Sequence, residues 1–317
     1  MADRPFEFDL FRLVIVEPDV FDFIGDPVNG DIGILQIIQE GCTSTHDVST
    51  SGAKNHWKWS LRDFDVSAPN IFGIDGGIVS TRYARSLIEQ NTAIVTDESI
   101  VEGTSHAEPA AALPIRIVFY MQRHLVAVEH SSAIMSSLAW VDALHQIFDR
   151  AAIALNIRTQ IRLEPVPEAN EVMEAFRSFE RLTQLRVTLR LPNPEVSRFA
   201  KSLFDQMTSG GIREYLNDIK NGSGLSQAEG QLPHAIASLA QDGYKKGEVV
   251  MSGLRQGRRT RIKTGRTAAR GQVERVRDFV RGQVTIAKTR EAQSALAAIL
   301  EEIDSMHPAP ESNAEQG

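Results

Sequence analysis

Through the first 130 residues the apolar positions mostly follow the two-residue period of strands. Phe8 to Val16 alternates and is β-prone, which predicts a first strand. Pro18, Gly25, Pro27 and Gly30 break the chain before a short helix over Asp31 to Glu40. Its apolar residues are Ile34, Leu35, Ile37 and Ile38, and Gly41 follows at the C′ position. Cys42 to Asn55 reads as a Ser/Thr/Gly-rich loop, and Trp57, Trp59 and Leu61 then share one strand face. Two hairpins are expected. One pairs Ile71 to Ile74 with Ile78 to Thr81 through Asp75-Gly76-Gly77; the other pairs Ile115 to Met121 with Leu125 to Glu129 through Gln122-Arg123. Asp97 to Pro114 reads as a long loop of small residues between them.

From Ile134 to Leu155 the period turns helical, with Leu138, Val141, Leu144, Ile147 and Phe148 on one face. A strand (Ile157 to Leu163), a helix (Glu168 to Phe179) and a strand (Arg181 to Leu191) follow. Pro192-Asn193-Pro194 then opens a helix running towards Lys220, broken near Gly210-Gly211. After a flexible loop from Asn221 to Gln231, a short helix past Pro233 leads to a hairpin. It joins Glu248 to Leu254 with Arg258 to Lys263 through Arg255-Gln256-Gly257. Val273 to Val280 and Ala292 to Ile303 read as helices, and the residues from Ser305 onward read as disordered.

These patterns predict an α+β fold: an N-terminal antiparallel meander sheet, a mixed α/β region, and a helical, basic C-terminal arm. The expected divisions are a β-rich N-terminal domain (1–133), an α/β domain with the late hairpin (134–264), the basic helical arm (265–304) and a disordered tail (305–317). No internal repeat of fixed period is present.

Composition narrows the function classes. Hydrophobic residues at 42% and charged residues at 24% are ordinary for a chain with a packed core, so disorder is expected only locally. The single cysteine, Cys42, excludes a disulfide framework within the chain and a thiolate zinc cage. The first residues lack the basic start and apolar stretch of a secretory signal, and no apolar run approaches a membrane span. A cytoplasmic protein without membrane insertion is expected.

Charge is distributed very unevenly. Lys245 to Arg290 holds 14 Lys and Arg against three acids, a local +11, so the remaining residues carry a net −18. A basic block on an acidic body points to a polyanion or to an acidic protein surface. The candidate nucleic-acid-binding residues are Arg255, Arg258, Arg259, Arg261 and Lys263 on the late hairpin, and Arg266, Arg270, Arg275, Arg277 and Arg281 on the helix expected after it. Guanidinium groups pair bidentately with phosphate. A second set comes from strand alternation: Arg158 and Arg162 on one strand, Arg186 and Arg190 on another, forming one cationic face if the two strands are neighbours. Aromatic residues are sparse in the block, so duplex phosphate contact is favoured over base stacking.

Catalytic signatures are missing. No phosphate-binding glycine loop, dinucleotide fingerprint, nucleophile elbow or His-Glu-x-x-His helix occurs, and no cofactor or metal is expected. His124 and His130 share parity but lie about 20 Å apart along a strand, too far to hold one ion. Asp63 with Asp65, and Glu164 with Glu168, are the nearest local carboxylate pairs.

Several strings resemble a family of bacterial and prophage proteins of uncharacterised function. They are Phe8-Asp9-Leu10-Phe11-Arg12-Leu13, Arg116-Ile117-Val118-Phe119-Tyr120-Met121, Leu163-Glu164-Pro165, Leu191-Pro192-Asn193-Pro194 and Gly243-Tyr244-Lys245-Lys246-Gly247-Glu248. The order of elements from Asn70 to Arg261 is also similar to that of the lambda Rex A-type exclusion protein and, more loosely, of the DNA-binding subunit of the Kiwa defence system. The resemblance implies DNA-interacting, dimeric proteins of phage exclusion. The leading expectation is therefore a non-enzymatic, sequence-tolerant binder of duplex DNA in phage or mobile-element defence, forming a homodimer and working with an effector protein encoded nearby. The alternatives are a metal-dependent nuclease with dispersed carboxylates, and an interaction subunit whose basic arm docks an acidic partner protein.

Overall fold

The computed structural model describes residues 5–16, 31–52, 55–66, 77–95, 99–106, 111–190, 214–274 and 290–308, with a few positions between 203 and 212. Two antiparallel sheets, each packed on helices, give the α+β fold that the sequence predicts.

β1 (Phe6–Val16) organises the first sheet. One edge of it pairs with β7 (Leu125–Glu129); the other pairs first with β13 (Arg270–Val273) and then with β8 (Gln160–Pro165). Beyond β7 come β6 (Ala112–Tyr120), β4 (Ile78–Val95), β3 (Asn55–Val66) and β2 (Val48–Ser51), and β5 (Ile100–His106) pairs with the far half of β4. Strand alternation sends Phe11 and Leu13 to one side, against α1 (Asp31–Gly41) and α3 (Ala139–Ala154), which follows the short α2 (Ser132–Met135). Phe6, Phe8 and Leu10 go to the other side, against Leu296, Ile299 and Ile303 of α6 (Arg290–Met306). A sheet covered on both faces needs apolar residues at nearly every position of its central strands. Leu125 to Val128 supplies them.

The second sheet runs β10 (Glu214–Lys220), β9 (Arg181–Arg190), β11 (Lys245–Arg255), β12 (Arg258–Thr264). Leu185, Val187, Leu189, Val249 and Met251 pack on Val172 and Phe176 of α4 (Glu171–Arg177) and on Ile236 and Leu239 of α5 (Leu232–Gln241). Gln256 and Gly257 join β11 to β12 with φ of 49° and 70°, the two left-handed positions of a type I′ turn.

Arg12 ties the sheets together. It is 1% exposed, and its guanidinium donates to the carbonyls of Asp242 (3.0 Å) and Arg123 (2.9 Å) and lies 4.6 Å from the Tyr244 ring centroid. Its Nη2 is 2.6 Å from His307 Nε2. A guanidinium only donates, so the imidazole accepts and is neutral. Burial, together with Arg12 and Arg123 nearby, lowers the His307 pKa to about 3.

Several expected elements are corrected. Cys42 to Asn55 contains β2, and Asp97 to Pro114 contains β5; both strands are polar or exposed and gain their order from pairing with a neighbour. Residues 214–220, expected at the end of a helix, form β10, because pairing with β9 overrides helical propensity. Val273 ends β13 instead of opening a helix. Ser305 and Met306 belong to α6, and His307 docks on Arg12. Ile71 to Asp75, Leu191 to Ala200, and the rest of the helix expected after Val273 lie outside the described residues. Among the described residues, no helix is long and apolar enough to cross a membrane.

Candidate functional site

Helices cover one face of the four-stranded sheet, and the residues of the other face follow from the strand registers. The first cross-strand row is Arg181, Leu254, Arg259; the second is Lys220, Gln184, Ser252, Arg261; the third is Asp218, Arg186, Val250, Lys263. A bulge at Thr183 brings Arg181 into the first row. Arg181, Arg186, Lys220, Arg259, Arg261 and Lys263 are all exposed. Two carboxylates share the face. Asp218 accepts from Gln184 and Lys220, contacts that hold its carboxyl below the usual range. Glu248 pairs with Lys263 and Arg266. Arg259 and Arg261 make no ion pair with any described residue. Arg259, Arg261 and Lys263 recur every second residue, about 6.6 Å apart along β12.

The expected site residues divide into groups. Arg255, Arg258, Arg259, Arg261 and Lys263 do lie together on the β11–β12 hairpin, and Arg186 joins them on the sheet. Arg266 sits in the link between β12 and β13, beside Glu248. Arg270 lies on β13 in the other sheet, 3.0 Å from Asp9, and does not stand on a helix. Arg275, Arg277 and Arg281 lie outside the described residues.

The second expected set is not one face. Arg158 precedes β8 and Arg162 lies on it, but β8 pairs with β1, whereas β9, with Arg186 and Arg190, pairs with β10 and β11. Arg162 holds Asp149 bidentately at 2.8 and 2.9 Å. Arg190 is buried, paired with Glu164 at 2.5 Å and with Glu214 at 3.5 Å. Lys220 and Arg181 were not foreseen. Lys220 owes its place to the pairing of β10 with β9, and Arg181 to the bulge at Thr183; neither leaves a clear mark in the local sequence.

At the Arg190 end the open face meets a cleft of about 1250 Å³ between the sheets. One wall is apolar, from Phe11, Met135, Leu138, Trp140 and Val141; the other comes from β8 and from the ends of β9, β10 and β11. Its charged lining nearly balances: Arg162, Arg190, Lys246 and Arg266 stand against Asp9, Asp142, Glu164, Glu214 and Glu248. Burial raises the Glu164 carboxyl above its ordinary range, against the pull of Arg190 and Lys245. His145 Nε2 accepts the Leu163 N–H at 2.9 Å, so the ring proton sits on Nδ1. Burial, aided by Arg162 and Arg190, lowers this imidazole to about 3 and keeps it neutral. Behind the wall, Lys245 is fully buried and donates to the Gly247 carbonyl at 3.1 Å. Burial lowers its pKa to about 8, with Glu164 and Glu171 opposing the shift. It adds no charge to the surface.

The carboxylate pairs do not assemble a metal centre. Asp63 faces Arg82 at 3.5 Å, and Glu164 is held by Arg190. Among the described residues no three His, Cys, Asp or Glu side chains are placed to share an ion.

Residues 88–275 match the family described as Domain of unknown function (DUF4747). The chain belongs to this family. The matched span runs from within β4 through β13, so the family region holds the whole second sheet, its cationic face and most of the cleft. β1, β2 and β3 of the first sheet, and α6 packed on it, lie outside it. No curated protein matches the chain.

Proposed function

We propose that the protein binds the phosphate backbone of duplex DNA across the open face of the second sheet. One observation carries this reading: three adjoining cross-strand rows present six exposed cations and one carboxylate, Asp218, with Glu248 beside them, in a chain whose net charge is −7. Such a face on an acidic body is attracted to polyanions and repelled by most other surfaces. The spacing of about 6.6 Å on β12 lets successive side chains reach different phosphates of one strand, whose charges repeat about every 3.4 Å measured along the duplex axis. Contacts of this kind fix position without reading sequence, so the binding is sequence-tolerant.

The resemblance to exclusion and defence proteins adds a setting. The binding serves phage or mobile-element defence in the cytoplasm, through a homodimer and an effector protein encoded nearby. The test of binding is fluorescence anisotropy with a labelled duplex. Wild-type protein is expected to bind, and the Arg186→Gln/Arg259→Gln/Arg261→Gln variant to lose affinity equally on unrelated sequences. Equal affinity of the two proteins overturns the reading.

A further inference from the structure

The cleft between the sheets is a different environment from the cationic face that leads into it. Arg190 and Glu214 form the row at its mouth, and Lys246, facing Thr188, stands beside them. The face is strongly positive, but the cleft lining is close to neutral and half of it is apolar. A phosphate gains little in such a cleft. A neutral, flat, polar-edged ring gains more, because apolar side chains cover its surface and fixed donors and acceptors meet its edge. Leu138 is 62% exposed at the apolar wall, beside the half-buried Met135 and Val141. On the same helix as Trp140 and Val141, His145 also lines the cleft, and its ring hydrogen sits on Nδ1 because Nε2 is committed to the Leu163 amide. Gln160 adds the donors of its side-chain amide to the same lining, while its Oε1 accepts from Arg162 at 3.0 Å. The volume, about 1250 Å³, exceeds the roughly 300–1,000 Å³ of ordinary small-molecule pockets, enough for a base with its sugar.

We infer that the cleft receives an unpaired nucleobase from nucleic acid whose phosphates lie on the sheet face. This rests on the proposed backbone binding and adds to it a preference for duplex ends, overhangs or bulges over continuous duplex. Base entry needs no sequence reading of the duplex, only a base already released from its stack.

The test compares a blunt duplex with the same duplex carrying a short single-stranded overhang, using wild-type protein and the Leu138→Glu variant. Leu138 is exposed, so the substitution puts a charge on the apolar wall without opening the core. Wild-type protein is expected to bind the overhang duplex about tenfold more tightly, and Leu138→Glu to lose that preference while keeping its affinity for blunt duplex. A His145→Phe variant, which keeps a ring but removes the Nδ1 donor together with the Nε2 acceptor of the Leu163 amide, is expected to narrow the preference as well. Equal binding of the two duplexes by wild-type protein overturns the cleft assignment and leaves backbone binding standing. So does a preference that survives Leu138→Glu. Failure to bind either duplex overturns both.

Discussion

Arg190 donates to Glu164 at 2.5 Å across the junction of the two sheets, with both side chains nearly excluded from water. An arginine that strand alternation assigns to a phosphate-binding face is thus occupied inside the protein. Removing one partner of a buried ion pair leaves the other charged and unsolvated, a loss of about 3–5 kcal/mol. Arg190→Ala is expected to lower stability on that scale in urea unfolding. Replacing both partners, as Arg190→Met with Glu164→Leu, should recover most of it. A small loss in the single variant contradicts this view of the junction.

Arg162 gives a contrasting case. Its bidentate contact with Asp149 is partly exposed, and such pairs contribute about 1 kcal/mol or less. Arg162→Gln is expected to cost no more than that and to leave affinity for blunt duplex DNA unchanged. A marked loss of affinity would return Arg162 to the interface.

Two histidines make stability sensitive to acid. His145 and His307 are held near pKa 3, each displaced from an ordinary value of 6.5. Between those values the unfolded chain binds protons that the folded chain refuses, so stability falls as the pH drops from 6.5 towards 3. The carboxylates add their own acid sensitivity, so the informative quantity is the difference between proteins. A His145→Gln/His307→Gln variant should lose less melting temperature between pH 6.5 and 4.5 than wild type; parallel curves would contradict the assignment.

Gly271 marks where the C-terminal segment locks to β1. A Cβ there would lie 2.3 Å from Phe8 Cζ and 2.7 Å from Met306 Sδ. Gly271→Ala must displace the buried Phe8 ring or the Met306 side chain and so disturb the packing of α6 on β1, at about 1–3 kcal/mol. Faster amide exchange in α6 is the expected signature, and unchanged exchange would show that the segment adapts without cost.

Much of this architecture is legible in the sequence. The alternation of β1, the β6–β7 hairpin, the apolar stripe of α3 and the β11–β12 hairpin are each set by local periodicity, and all four are found. The failures share a cause. β2, β5 and β10 have weak or exposed patterns and exist because a partner strand supplies their hydrogen bonds, which no local window contains. The candidate site behaves likewise. The hairpin arginines are local to one another and were read together, whereas Arg158, Arg162, Arg186 and Arg190 needed knowledge of strand neighbours. Parity gave their faces but not their sheets.

The claim that the open sheet face grips phosphates is tested most directly by the salt dependence of duplex binding. Each phosphate contact displaces condensed counterions, so the logarithm of affinity falls against the logarithm of salt concentration with a slope of about −0.9 per contact. Replacing Arg186, Arg259 and Arg261 with Gln one at a time and then together should flatten the slope by about 0.9 per side chain lost, whatever the DNA sequence. A triple variant with the wild-type slope and affinity would contradict the account.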